Sequence, residues 1–321
     1  IVMFIRSLAS GFHGNAMSAS TSLMVPVEHL TRIQGINQML NGGLNVVSAP
    51  LGALLLGVLP LQGILAIDVV TALIAVLPLF FIQIPQPERI EREQMQHEAQ
   101  ATVWQDFKAG FRYMIGWSGL LIVGLMTVGI NFTIIPAFSL LPLMVKDYFS
   151  GNVILLGWVE SAMGIGIIGG GALLGVWGGF ERKILTSMIG LMGMGAGTLI
   201  LALAPSSAMY LAVVGALLFG VMNPITMGPF FAMIQSTVEP DLQARIFSLL
   251  SSVGGGMAPV GLMIDGPVAD RVGIQAWLLL GGSLCVLMAV AGLFIPAVMN
   301  IEENRSVMLD KLTTGSELRA T

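Results

Sequence analysis

Three observations predict an all-α polytopic membrane fold. Charged residues make up only 10% of the 321-residue chain and hydrophobic ones 55%, with a mean hydropathy of +0.87. A soluble protein has about 25% charged residues, so this chain lacks the material for a polar skin. Apolar segments approaching the roughly 20 residues needed to cross a bilayer follow one another with short turns between them. The one long stretch suited to water, residues 86–112 (QPERIEREQMQHEAQATVWQDFKAGFR), separates three such segments from six. The net charge of -4 offers no basic footprint for nucleic acid. The single cysteine, Cys285, cannot form an intramolecular disulfide. The 40 glycines and 21 methionines suit closely packed helices, since small residues let backbones approach.

The segments fall at residues 2–25, 36–58, 61–84, 119–145, 153–177, 184–204, 208–234, 246–264 and 276–298. Lys and Arg in the short loops orient them. With the charged loop in the cytoplasm, alternation puts Arg32, Arg89, Arg92, Lys108, Arg112, Arg182, Lys183, Arg245, Arg305, Lys311 and Arg319 inside. Only Lys146 and Arg271 fall outside. The first residue then lies outside as well, and no targeting segment is visible.

An internal echo accounts for that start. VPVEHLTRIQ (25–34) leaves the first segment and VEPDLQARIF (238–247) leaves the seventh, each with a carboxylate four residues before an arginine: Glu28 and Arg32, Asp241 and Arg245. Each following segment carries Ala-Pro-x-Gly, with Pro50 and Gly52 in one and Pro259 and Gly261 in the other. If first matches seventh, three spans are expected before Ile1, giving six plus six in a parallel repeat. The expected layout is a bundle remnant over 1–85, a cytoplasmic linker over 86–116, a six-helix bundle over 117–298 and a cytoplasmic tail over 299–321.

Several stretches resemble the major facilitator superfamily from its fourth transmembrane helix to its end. They are IRSLASGFHGNAMSA (5–19), VPVEHLTRIQGINQ (25–38) and SAPLGALL (48–55). The first resembles the fourth-helix motif, whose arginine falls on Arg6 and whose glycine falls on Gly11. The third partly resembles the antiporter fifth-helix motif, with Pro50 and Gly52 in place and alanines, Ala49 and Ala53, where glycines are usual. The nearest branch is the macrolide-efflux-like group of drug exporters. The resemblance implies a major facilitator fold with about nine of twelve helices present. It also implies secondary active transport of amphipathic or hydrophobic small molecules by alternating access, with protons as coupling ion and no cofactor. The implied setting is a bacterial cytoplasmic membrane with the C-terminus inside. Another substrate class (a lysophospholipid, siderophore or metabolite) and a non-transporting receptor or scaffold on the same fold are the alternatives.

Ionisable residues inside spans are expensive and therefore candidates for function. Arg6 shares a helical face with Ser10, His13 and Met17; it either stabilises a carboxylate or anionic group or snorkels to the headgroups. His13 either relays protons or packs as a neutral imidazole. Glu160 and Asp68 lie about two turns into their segments, where burial would let them exchange protons or proximity to the interface would leave them solvated. Asp265 and Asp270 are expected to be solvated at the end of a span.

Asn37, Asn41, Asn45 and Ser48 form a polar stripe with Gln38 beside it, either lining the substrate path or bonding to another helix. Asn131 near Pro136, and Asn223 beside Pro224, place amides at helix breaks, which often mark binding regions. Ala162, Gly166 and Gly170, and separately Gly171, Gly175 and Gly179, give small-residue lines expected to pack against the other half. The loop 175–184 resembles the superfamily's cytoplasmic loop motif: Arg182 and Lys183 keep its basic pair, but Gly179 stands at its acidic position. Arg32, Arg182, Lys183 and Arg245 are the candidate gate residues. No Gly-rich phosphate loop, metal-spaced His/Cys cluster or nucleophile triad appears in the sequence, so an enzyme has little to rest on.

Overall fold

The computed structural model describes residues 25–77, 103–151 and 153–303, with Gly14, Met17, Ser20, Thr21, Leu23 and Met24 before them. Arg6 and His13 lie outside the described residues. The described elements are helical, with no strand among them. In chain order they are α1 (Leu30–Val58), α2 (Leu61–Val76), α3 (Val103–Gly116) and α4 (Ser118–Ser139). Then come α5 (Val153–Trp177), α6 (Lys183–Leu203), α7 (Met209–Thr237), α8 (Pro240–Val272) and α9 (Ile274–Phe294).

Among the described residues six helices are long and apolar enough to cross a membrane: Ser118–Tyr148, Ile154–Trp177, Lys183–Leu203, Met209–Thr237, Leu242–Val272 and Ile274–Phe294. They correspond to the last six expected segments. The first of them continues α4 through a short helical piece and a π-helical turn, Met144–Tyr148. An apolar stretch of this kind must satisfy its backbone internally, which only a helix or closed barrel achieves in lipid.

α4 to α9 form one bundle. α7 packs on both α5 and α6, α9 on α6 and α4, and α8 on α4. Three buried clusters fill it, including Met233, Ile234 and Phe247 at one end and Leu201, Ala212 and Trp277 at the other. α1 lies against this bundle through α5 and α7. Part of the charged stretch is itself helical: α3 packs on α8 and α4 and buries Met114.

The helix ends that carry Arg32, Arg182, Lys183 and Arg245 gather at one end of the bundle, hereafter the basic end. The turn from α5 to α6 requires two glycines there, since Gly178 and Gly179 have φ of +83° and +82°, a region open to glycine. Gly179 is therefore a turn residue and does not continue the helical line of Gly171 and Gly175.

Candidate functional site

A cavity of about 520 Å³ opens among α4, α7 and α8, with Met194 of α6 at its wall and Gly14 bordering it from the chain before α1. Apolar side chains dominate: Ile130, Ile134, Met227 and the rings of Phe219, Phe230, Phe231 and Phe247. The polar groups are Thr127, Asn131, Asn223 and Ser251, and no described lining residue is ionisable. Binding sites for small molecules have this make-up, mostly apolar and aromatic with a few placed polar groups.

Asn131 and Asn223, singled out beside their prolines, thus both reach the cavity. Asn131 Nδ2 donates to Thr127 O at 2.8 Å. Asn223 has no hydrogen-bond partner among the described residues. Pro224 and Pro229 lie inside α7 beside it, each removing a backbone donor from the helix.

Among the described residues of the polar stripe of α1, Asn37, Gln38 and Asn41 do not line this cavity. Asn37 and Gln38 are half-buried and Asn41 is exposed; the side chains of Asn45, Ser48, Pro50 and Asp68 lie outside the described residues, and Gly52 is placed only as part of α1. The amide of α1 that crosses to another helix is Gln34, one turn earlier. Its Nε2 donates to Gln235 Oε1 at 3.1 Å, and both side chains are buried. Gln243 of α8 joins them, donating from Nε2 to the carbonyls of Gln235 and Val238 at 2.9 and 3.0 Å.

Below this amide group the helices touch backbone to backbone. A Cβ on Gly171 would come within 2.6 Å of Met39 N and 2.8 Å of Gly35 O, and one on Gly175 within 3.3 Å of Ile36 Cγ1. The line Gly171–Gly175 therefore meets α1, as expected. The line Ala162–Gly166–Gly170 does not meet α1. A Cβ on Gly166 would meet Gly220 and Val221, and one on Gly170 would overlap Val221 O, all in α7. Periodicity reveals that a helix has two small-residue faces, and only the fold says which neighbour each one meets. Glu160 is exposed on α5. Helical spacing puts it in register with Gly164, Ile167 and Gly171, the row that faces α1, and away from the basic end.

The basic pair of the α5–α6 turn is held by the chain that follows α9. Arg182 Nη2 lies 2.7 Å from Glu303 Oε1, and Lys183 Nζ lies 3.5 Å from Glu302 Oε1. Glu302 Oε1 also accepts from Lys183 N at 3.3 Å, so a remote carboxylate caps the N-terminus of α6, where negative charge is favoured. The acid missing at Gly179 is thus supplied from elsewhere, which local sequence does not reveal. Lys183 and Glu302 are only 16% and 17% exposed, against 50% and 61% for Arg182 and Glu303. Glu302→Ala should therefore lower stability by about 1 kcal/mol, as for a lost cap. Glu303→Ala should change it by less than about 0.5 kcal/mol, as for surface pairs. Thermal unfolding of the purified protein tests this, and equal shifts contradict it.

Arg32 lies across the end of α5, where a Cβ on Gly178 would approach its Nε to 2.9 Å. Arg245 backs onto α3, its backbone carbonyl 3.6 Å from a Cβ placed on Gly110. Pro259 is exposed, whereas Gly261 packs where a Cβ would overlap Phe132 O of α4.

A further expectation is overturned. Asp265 is not solvated: α8 runs on to Val272, and Asp265 is 4% exposed within it. Its Oδ2 lies 3.3 Å from Ser139 Oγ of α4. The sequence places the end of the apolar segment at 264, but the helix continues and Pro267 sits inside it.

Comparison with known proteins fits this architecture. The family model of the Major Facilitator Superfamily matches residues 1–262. The chain is 34% identical to macrolide efflux protein A of Streptococcus pyogenes over 290 residues, which is 90% of this chain and 70% of that protein. It is 34% identical to a protein of the same name from Enterococcus faecalis over 262 residues, 82% of this chain and 80% of that one. It is 26% identical to the multidrug efflux pump Tap of Mycolicibacterium fortuitum over 150 residues, 46% of this chain and 36% of the pump. With six helices among the described residues apolar and long enough to span a membrane, and a family match over most of its length, the chain belongs to the Major Facilitator Superfamily and is an integral membrane transporter, not an enzyme.

Proposed function

We propose that this transporter exports amphipathic or hydrophobic small molecules, macrolides among them, by alternating access driven by proton entry. The observation that carries the reading is the cavity: four phenylalanines, two methionines and two amides enclose about 520 Å³ with no ionisable group among the described lining residues. Such a surface accepts a bulky apolar body and offers hydrogen bonds at Asn131 and Asn223 without demanding a charge. The names of the efflux relatives point the same way.

In this reading the basic end is cytoplasmic, by the excess of Lys and Arg there, and the C-terminus is inside a bacterial cytoplasmic membrane. Residues 1–85 move as part of one unit and 117–298 as the other, joined by 86–116, with 299–321 as a tail. The Gln34–Gln235 bond and the Gly35–Gly171 contact close the cytoplasmic side, so the arrangement described is the outward-facing one. Rocking breaks these contacts and opens the cavity inward. Arg32, Arg182, Lys183 and Arg245 line that gate; Pro50, Gly52, Pro259 and Gly261 shape the helices that bend. Asn37, Gln38, Asn41 and Asn45 face the path when it opens, and Arg6, His13, Asp68 and Glu160 take part in charge pairing or proton coupling.

Export of erythromycin from cells producing the full-length protein tests the reading. Efflux should stop when a protonophore is added, and Asn223→Leu should weaken it about tenfold at unchanged protein level, as for loss of a hydrogen bond left unpaired in the bound state. Efflux indifferent to the protonophore contradicts proton coupling. Binding without any efflux makes the protein a receptor on a transporter fold.

A further inference from the structure

α3 presents three different edges, and the described contacts with the bundle are made by one of them. Gly110 and Met114, one turn apart, are buried. A Cβ on Gly110 would stand 3.6 Å from Arg245 O, in the second turn of α8. One on Gly124, in the second turn of α4, would stand 3.0 Å from Met114 Sδ. Just past the end of α3, the Trp117 ring meets the edge of Tyr113 with centroids 6.2 Å apart. These contacts fix how α3 is rolled about its axis.

Helical spacing then places the other two edges. Phe111 and Ile115 lie about 100° round from the buried edge, and Lys108 and Arg112 about 60° beyond them. All four are exposed, Phe111 to 44% and Ile115 to 53%. Of the side chains described in α3 none is acidic, and neither cation forms an ion pair among the described residues.

The order buried, apolar, basic suits a boundary between water and lipid. α3 ends at Gly116, and α4 begins at Ser118. The two spans that α3 packs on start at Ser118 and Leu242. α3 is therefore level with the first turns of two membrane helices. In water an exposed Phe and Ile on successive turns bury nothing, whereas at the rim of the hydrocarbon acyl chains cover them. Lys and Arg beside such a row lay their apolar stems along it and carry their charges to the headgroups.

We propose that α3 is an interfacial anchor that docks anionic phospholipid. Lys108 and Arg112 hold the headgroup phosphate while Phe111 and Ile115 enter the upper acyl region. The planar fork of Arg112 matches two phosphate oxygens, and Lys108, one turn away, adds a point charge. Because α3 packs on α4 and α8, the bound lipid fixes that side of the α4–α9 bundle in the membrane. Only the choice of leaflet rests on the orientation proposed above.

The test uses full-length protein in liposomes of phosphatidylcholine and phosphatidylglycerol. A fluorophore on Ile115→Cys reports the lipid beside α3, since Cys285 is fully buried. At low and equal quencher content, phosphatidylglycerol spin-labelled near its ester carbons should quench at least about fivefold more than phosphatidylcholine labelled alike, as for two cations at an anionic surface. Lys108→Gln with Arg112→Gln should bring the ratio within about twofold and leave quenching by phosphatidylcholine in place. Both leaflets carry the probe lipids, so the outcome does not depend on sidedness. Equal quenching in the wild type, or a ratio that the double variant leaves unchanged, overturns headgroup docking. No quenching by either lipid puts this edge in water or against a protein and overturns the anchor altogether. If the double variant fails to fold, the wild type in about 0.5 M salt takes its place. Screening there should collapse the ratio, and a ratio indifferent to salt overturns the proposal.

Discussion

Gly171→Ala should leave the protein folded in the membrane yet remove most of its transport. The added methyl would sit 2.6 Å from Met39 N and 2.8 Å from Gly35 O. Both are backbone atoms of α1, so no rotamer change relieves the overlap. α1 and α5 must separate, and the Gln34–Gln235 bond close by is stretched with them. Overpacking of this kind costs about 1–3 kcal/mol. Because the contact joins two parts that the proposed cycle separates, the strain falls on the closed state alone. A bias of that size shifts a two-state equilibrium by roughly 5- to 150-fold. Steady-state efflux at matched protein levels measures it. Loss of protein from the membrane, with no folded transporter to assay, would place this glycine in the fold instead of the gate.

The neighbouring positions Gly170 and Gly169 should part company in stability. A Cβ on Gly170 would overlap Val221 O and lie 2.8 Å from Val221 C, within the α4–α9 bundle, while one on Gly169 would have nothing within 4 Å. Gly170→Ala must push α5 off α7 and should destabilise by about 1–3 kcal/mol. Gly169→Ala relieves only the backbone entropy of glycine and should stabilise by about 0.5–1 kcal/mol. At roughly 2–4 °C per kcal/mol for a bundle of this size, thermal unfolding in detergent separates the two variants. The same ordering for both, or a stable Gly170→Ala, would contradict the packing described.

Much of the architecture is legible in the sequence because lipid permits so few solutions. Apolar length and turn residues locate each spanning helix of α4–α9, and the prolines mark Asn131 and Asn223 as cavity residues. What stays hidden is the identity of neighbours. The two small-residue faces of α5 look alike in sequence, yet one meets α7 and the other α1. Glu302 caps α6 from 119 residues away, beyond any local pattern. Asp265 is misjudged for a related reason: it follows the end of the apolar run at 264, while the Ser139 contact beside it comes from α4, over 120 residues earlier in the chain. For the polar stripe of α1, spacing alone cannot say which space a face looks into, and the lining described here comes mainly from α4, α7 and α8.

The central claim is that the contact of α1 with α5 and α7 at the basic end is a gate. Spin labels at Glu28→Cys and Glu181→Cys read it most directly. Both positions are exposed, and the one native cysteine, Cys285, is fully buried and will not compete for label. Pulsed electron–electron distance measurements on transport-competent protein in lipid should show a short distance, as in the closed arrangement here. A second, longer population should grow when substrate or pH is changed. One unchanged short distance under conditions where the same protein transports would contradict the gate.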